Sequence, residues 1–184
     1  VVLHAGASGV GTAAIQICRV KSVETFVTVG SERKLSACMQ LGAIGGVNRH
    51  ENPILDAVRD FAPDGVDLVL DPVGAKYLAD NIKMLNLNGR LVLIGLMGGV
   101  RAELDLVSLM MKRIRVIGST LRSRPLQEKA VLMQQIEEQI WPCLVTGEIS
   151  VSIEAVLAIT DATEGHNLIA SDQTIGKVIL EVNH

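Results

Sequence analysis

Three glycines and a serine fall within six residues near the start of the chain, Gly6-Ala7-Ser8-Gly9-Val10-Gly11. The apolar run Val1-Val2-Leu3 leads into them, and an alanine-rich stretch follows. In a strand–turn–helix unit of this kind, a first glycine permits the tight turn. A small middle residue lets backbone approach a pyrophosphate, and a third glycine lets helix and strand pack closely. Gly6 and Gly11 hold the outer places, Ser8 holds the middle one, and Gly9 adds a further small residue at the helix start. A helix N-terminus offers free N–H groups and a positive dipole end to a diphosphate. The chemistry on offer is anion binding, with a dinucleotide as the expected ligand.

The next informative stretch is Val29-Gly30-Ser31-Glu32-Arg33-Lys34. An NAD site places Asp or Glu about 20 residues past the glycines, on the ribose 2′-hydroxyl. Gly30 and Ser31 stand there instead. Glycine leaves room, serine offers a hydroxyl, and Arg33 and Lys34 supply positive charge just beyond. This combination suits a 2′-phosphate, and the missing acid also counts against a methyltransferase. Three further strand ends, over 71–74, 95–99 and 118–121, join apolar runs to small-residue loops that can line a nicotinamide pocket with backbone groups. Asp71 in "DPVG" has two readings, a catalytic acid or the cap of a proline-terminated strand end, and the cap is the one favoured.

Positioning these loops takes a regular scaffold. Apolar, β-branched runs predict strands over 1–3, 25–29, 44–47, 66–70, 90–94 and 115–117. Helical patterns fall over 9–20 (inner stripe Ala13, Ala14, Ile17, Cys18), 31–41 (Ser31 as cap, Gly42 as stop), 53–61, 77–87 and 104–111. Strands alternating with helices at this pitch predict an α/β fold, a doubly wound parallel six-stranded Rossmann sheet with helices on both faces. Beyond Arg124 the alternation changes. One long helix is expected over 125–145, with Leu126, Ala130, Met133, Ile136, Ile140 and Leu144 along one side. Strands over 150–153 and 155–159, a helix over 161–170 and a strand over 177–182 follow. The division expected is 1–124 and 125–184.

Bulk properties narrow the function classes. The chain has 184 residues, 48% hydrophobic and 20% charged, which fits a globular domain with a sizeable core. No apolar run reaches the ~18–20 residues of a membrane span, and no basic stretch precedes an apolar one as in a secretory leader. A net charge of −3 with interspersed signs makes nucleic acid a poor partner. Cys18, Cys38 and Cys143 are odd in number and far apart, which reads as free thiols in a reducing, cytoplasmic compartment. His4, His50, His166 and His184 show no metal-ligand spacing, so no metal site is expected.

The segments "HAGASGVGTAAIQ", "TVGSERKLSACMQLGA", "DPVG", "GRLVLIGLMGG", "STLRSR" and "IGKVILEV", in this order, resemble the cofactor half of the medium-chain dehydrogenase/reductases. They are most similar to the zinc-free quinone oxidoreductase branch, and "GLMGG" and "LRSR" resemble its tumour-suppressor-induced members. The resemblance implies NADPH as cofactor and a quinone or activated enone as substrate. It carries cofactor contacts onto Ser8, Gly9, Val10, Gly30, Ser31, Lys34, Val73, Gly95, Leu96, Met97, Gly98, Thr120 and Leu121. After the third strand the family often places an aromatic residue or His following Asn. Asn48-Arg49 stands here, so Arg49 departs from the pattern in ring character but adds a charge that a 2′-phosphate would welcome. Lys34 and Arg49 are both expected near the surface. No protein nucleophile is implied, and no catalytic residue is named.

The resemblance also implies an N-terminal barrel domain ahead of Val1, which this sequence does not include. The segment from about residue 125 would return to that domain, leaving apolar surface at Ile149, Val151, Ile153 and Leu157. The chain alone would then turn over little. Homodimers through the cofactor domains are implied, across the edge strand near 113–119. Two other readings stand beside this one, a non-catalytic nucleotide-binding module and an enoyl reductase domain of a polyketide or fatty acid synthase.

Overall fold

The computed structural model describes residues 1–182; Asn183 and His184 lie outside them. Six parallel strands form one sheet in the order β3-β2-β1-β4-β5-β6. They are β1 (Val2–His4), β2 (Phe26–Val29), β3 (Gly45–Asn48), β4 (Val66–Asp71), β5 (Leu85–Leu93) and β6 (Arg115–Gly118). The order reverses between β1 and β4, and a doubly wound sheet opens its ligand crevice at such a switch, beyond the strand carboxyl ends.

Strand periodicity of two supplies a core on each face. Val2 pairs with Phe26 and Leu3 with Val27. Val2 and Phe26 join Val47, Val58, Val69, Ile82 and Leu91 in one core, covered by α3 (Ile54–Phe61) and α4 (Leu78–Met84). Leu3 and Val27 join Ile15, Val29 and Cys38 in the other, covered by α1 (Gly9–Val20) and α2 (Glu32–Leu41). Ser31 caps α2, accepting from the Lys34 N–H at 3.3 Å, and Gly42 ends it at φ 117°. Cys38 lies inside this second core, where burial pushes its thiol up to about 11.

Several local expectations are corrected. The buried face of α1 is Gly11, Thr12, Ile15 and Gln16, whereas Ala13 is exposed. Gly11 must face the turn, because a Cβ there would press on the carbonyl oxygens of Ala5 and Gly6. That close approach sets the helix phase. The helix expected to reach Leu87 ends at Met84, because Leu85 is buried and pairs with Val66 to open β5.

Beyond α5 (Leu106–Met111) and β6, the single long helix is two, α6 (Leu126–Gln139) and α7 (Trp141–Val145). Pro142 lacks an N–H and cannot continue the ladder of α6. No residue of α6 is buried, so its apolar stripe faces outward. The two short strands expected over 150–159 are one, β7 (Ile153–Ala158), which pairs in parallel with β8 (Lys177–Glu181) through α8 (Ala162–Ala170).

The returning segment packs on the Rossmann part, contrary to the expectation of an orphaned tail. The buried Gln16 amide donates to the Ser150 carbonyl and accepts from its N–H, both at 2.9 Å. The Gly176 N–H donates to the Ala7 carbonyl at 2.8 Å, and Arg33 pairs with Glu154 at 2.7 Å. Ile149, expected exposed, is buried; Val151 and Ile153 remain exposed.

Candidate dinucleotide site

The β1–α1 turn is built as its residue types demand. Ser8 caps α1, its hydroxyl accepting from the Gly11 N–H at 3.0 Å. Ser8 forms a parallel bridge with Gly176, which turns the Gly9 N–H toward that backbone, whereas among the described residues the Val10 N–H has no hydrogen-bond partner. A Cβ on Gly9 would collide with the Lys177 side chain, whose Nζ would be 2.8 Å away. A cation therefore lies across the helix N-terminus, a place where two positive ends meet and an anion between them would satisfy both.

A second positive centre stands at the end of β2. Lys34 is buried, its side chain 7% exposed, and Arg49 is half-buried. Gly30 makes room, because its Cβ would be 2.7 Å from the Arg49 guanidinium. The expectation that Lys34 lies near the surface is thus corrected. Between the two centres is a cavity of about 530 Å³ lined by Ser8, Gly9, Gly30, Lys34, Arg49 and Met97 together with Ile169, Asp172, Thr174, Gly176 and Lys177. Val73, Met97 and Gly98 adjoin it in a space of about 320 Å³ that Arg49 and Asp172 share. The Gly98 N–H donates to the Val73 carbonyl at 2.7 Å, which ties these two loops together. Of the remaining expected contacts, Val10, Ser31, Gly95, Leu96, Thr120 and Leu121 line neither space.

Asp172, Thr174 and Lys177 were not anticipated. Asp172 receives hydrogen bonds from Lys34 Nζ at 2.8 Å and from Arg49 Nη2 at 2.6 Å. The Lys34 bond first, and the Arg49 bond with it, hold the Asp172 carboxyl below the usual carboxylate range. The only sequence signal for this cluster is the glycine before a lysine in "TIGKV".

Beneath the cavity runs a buried polar chain that includes His4. Asp71 accepts from the Val73 and Gly74 N–H groups at 2.6 and 3.1 Å, which makes it the strand-end cap expected of it. Its other oxygen accepts from the Asn81 amide at 2.8 Å, so the Asn81 oxygen turns to His4 Nε2 at 2.7 Å. His4 Nε2 must then carry the proton, leaving Nδ1 to accept from the Thr28 hydroxyl at 3.0 Å. Burial holds the His4 pKa below its ordinary value. The chain locks the Val73–Gly74 loop to β1, β2 and α4.

A sequence model of the zinc-binding dehydrogenase family matches residues 9–138. The chain belongs to this family. It is 29% identical over 182 residues to the quinone oxidoreductase of Rattus norvegicus, a match covering 98% of this chain and 54% of that protein. The chain thus spans about half the length of the curated relatives it matches. An Escherichia coli quinone oxidoreductase crystallised with NADPH superimposes at a TM-score of 0.83, with 22% identity, over 97% of this chain and 56% of that one. An NAD-dependent alcohol dehydrogenase superimposes at 0.80, with 30% identity, over 99% of this chain and 50% of that one. The resemblance to the medium-chain dehydrogenase/reductases and their quinone oxidoreductases is met.

The family's name implies zinc. Among the described residues no three His, Cys, Asp or Glu side chains lie together as ligands for it, so these residues do not fit a metal. A dinucleotide fits better. A glycine turn at a helix N-terminus faces one cation, and two more cations at the β2 end already hold a carboxylate. Among the described residues no helix is long and apolar enough to cross a membrane.

Proposed function

We propose that this chain is the NADPH-binding part of an oxidoreductase that passes hydride to a quinone or an activated enone. The observation that carries the reading is the pairing of the glycine turn with the Lys34–Arg49 centre across one cavity at the sheet's switch point. A nicotinamide dinucleotide, when bound, supplies hydride from its C4. The chain's own residues do the rest. The glycine turn at the α1 N-terminus, with Lys177, holds the diphosphate. Lys34 and Arg49 hold the 2′-phosphate. Val73, Met97 and Gly98, fixed through Asp71, Asn81 and His4, border the space beyond. Among these residues none is asked to be a nucleophile or to transfer a proton. The relatives named quinone oxidoreductase support the substrate class, and the NADPH-bound fold relative supports the cofactor.

The same reading divides the chain into a cofactor-binding part, 1–124, and a segment, 125–184, that serves a catalytic domain. It places the protein in the cytoplasm, and it joins two copies along β6. That strand lies at the sheet edge. The Ser119 N–H donates to the Leu93 carbonyl on β5. By alternation the N–H groups of Arg115 and Ile117 face β5, whereas those of Val116 and Gly118 face outward, free to pair with another strand.

Titration of the chain with NADPH, followed by nicotinamide fluorescence, tests the cofactor. Saturable binding that 2′,5′-ADP displaces is expected. Absence of binding at millimolar NADPH in a folded sample refutes the reading.

A further inference from the structure

The returning loop brings to the β2 end an acid that the strand end itself lacks. Asp172 Oδ1 takes Lys34 Nζ at 2.8 Å and Oδ2 takes Arg49 Nη2 at 2.6 Å, so each carboxylate oxygen engages one cation as two oxygens of a phosphate would. Lys34 Nζ also donates to the Asp172 carbonyl at 2.6 Å. The cations are set into the wall, whereas Asp172 lies over them from the solvent side with its side chain 61% exposed. Its backbone is in the left-handed region, φ 52°, directly after the C-cap of α8, and the loop closes at Gly176 with φ 80°. The acid is therefore carried on a short loop and buried in nothing, and it can leave the cations without exposing a core.

We propose that Asp172 is a built-in counter-anion, a latch whose carboxylate competes with the nucleotide 2′-phosphate for Lys34 and Arg49. The inference rests on the cofactor reading above and goes beyond it. A 2′-phosphate must displace the carboxylate to reach its donors. A nucleotide with a free 2′-hydroxyl asks nothing of them. Asp172 therefore lowers affinity for the phosphorylated cofactor alone and narrows the gap between the two nicotinamide dinucleotides. Its position 138 residues beyond Lys34 makes the returning segment a regulator of the Rossmann site.

The test is calorimetric titration of the chain, Asp172→Asn and Asp172→Gly with 2′,5′-ADP and with 5′-AMP. Asn and Gly both accept a left-handed backbone, so the loop keeps its course. An exposed ion pair is worth roughly 0.2–1 kcal/mol, and two are released, so both variants should bind 2′,5′-ADP about two- to thirtyfold more tightly. Affinity for 5′-AMP should stay as it is. Unchanged or weaker 2′,5′-ADP binding in both variants overturns the latch while leaving the cofactor reading intact. Weaker 5′-AMP binding in Asp172→Asn also overturns it, because Asp172 would then be an acceptor for the ribose hydroxyl. Binding of neither probe by any of the three proteins overturns the cofactor reading and the latch together.

Discussion

Lys34→Ala should weaken NADPH and spare NADH, by less than a simple count of charges suggests. A charge-assisted hydrogen bond to phosphate contributes about 1.5–3 kcal/mol. Lys34 is not free to make it, because its ammonium already bonds Asp172 at 2.8 Å. That carboxylate is mostly exposed, so the bond given up is worth about 0.2–1 kcal/mol. The difference, on the order of 0.5–2.8 kcal/mol, corresponds to about a two- to hundredfold loss. The buried position of Lys34 screens it less than a surface charge, so most of the loss should persist at raised salt. The fold should survive, because Asp172 keeps Arg49 as a partner. Fluorescence titration of wild type and Lys34→Ala with both cofactors, alongside thermal melts, measures the effect. Equal losses for NADPH and NADH would show that Lys34 holds the cleft together and does not read the phosphate.

Arg49→Ala should act in the same direction but more weakly, with a larger salt dependence, because Arg49 is more exposed than Lys34; a salt-independent loss in the same titrations would contradict this. Gly11→Ala presses a methyl onto backbone that cannot yield cheaply, and overpacking of this kind costs about 1–3 kcal/mol. Its urea midpoint should fall and nucleotide binding should fail, whereas an unshifted midpoint would refute the close approach. The folded His4 pKa is lowered, so the unfolded chain binds more protons below the ordinary value of 6.5. The contribution is full above pH 6.5 and is lost as pH falls below it towards the folded pKa, with a slope of up to about 1.4 kcal/mol per pH unit. Urea unfolding at a series of pH values should show this slope in wild type and a smaller one in His4→Gln. Val116→Pro removes an outward N–H and keeps the ladder to β5, so sedimentation should change from dimer to monomer without a loss of helix signal. A dimer indifferent to the proline would place the contact elsewhere.

The alternating α/β order, the glycine turn, the Ser31 and Gly42 caps and the Asp71 strand end were all legible in the chain. Each is a local pattern: apolar runs of fixed period, a turn that admits only small residues, a hydroxyl three residues ahead of an N–H in need of an acceptor. Pro142 is a local signal as well, masked by an apolar periodicity that runs past it. What the tertiary structure alone decided lies in contacts between distant residues. Thr12 and Gln16 lie outside the inner stripe expected of α1, which was Ala13, Ala14, Ile17 and Cys18. They are buried because Gly11 turns that face of α1 to the sheet and because backbone from Ser150, 134 residues on, supplies the partners of Gln16. His4 reads as a lone histidine and is a buried link because Asn81 and Thr28 meet it from two other elements. Lys34 reads as a free surface cation and is a buried one that already holds Asp172. A hydrogen-bond partner is set by position in space, and nothing near Lys34 or Asp172 along the chain marks either for the other.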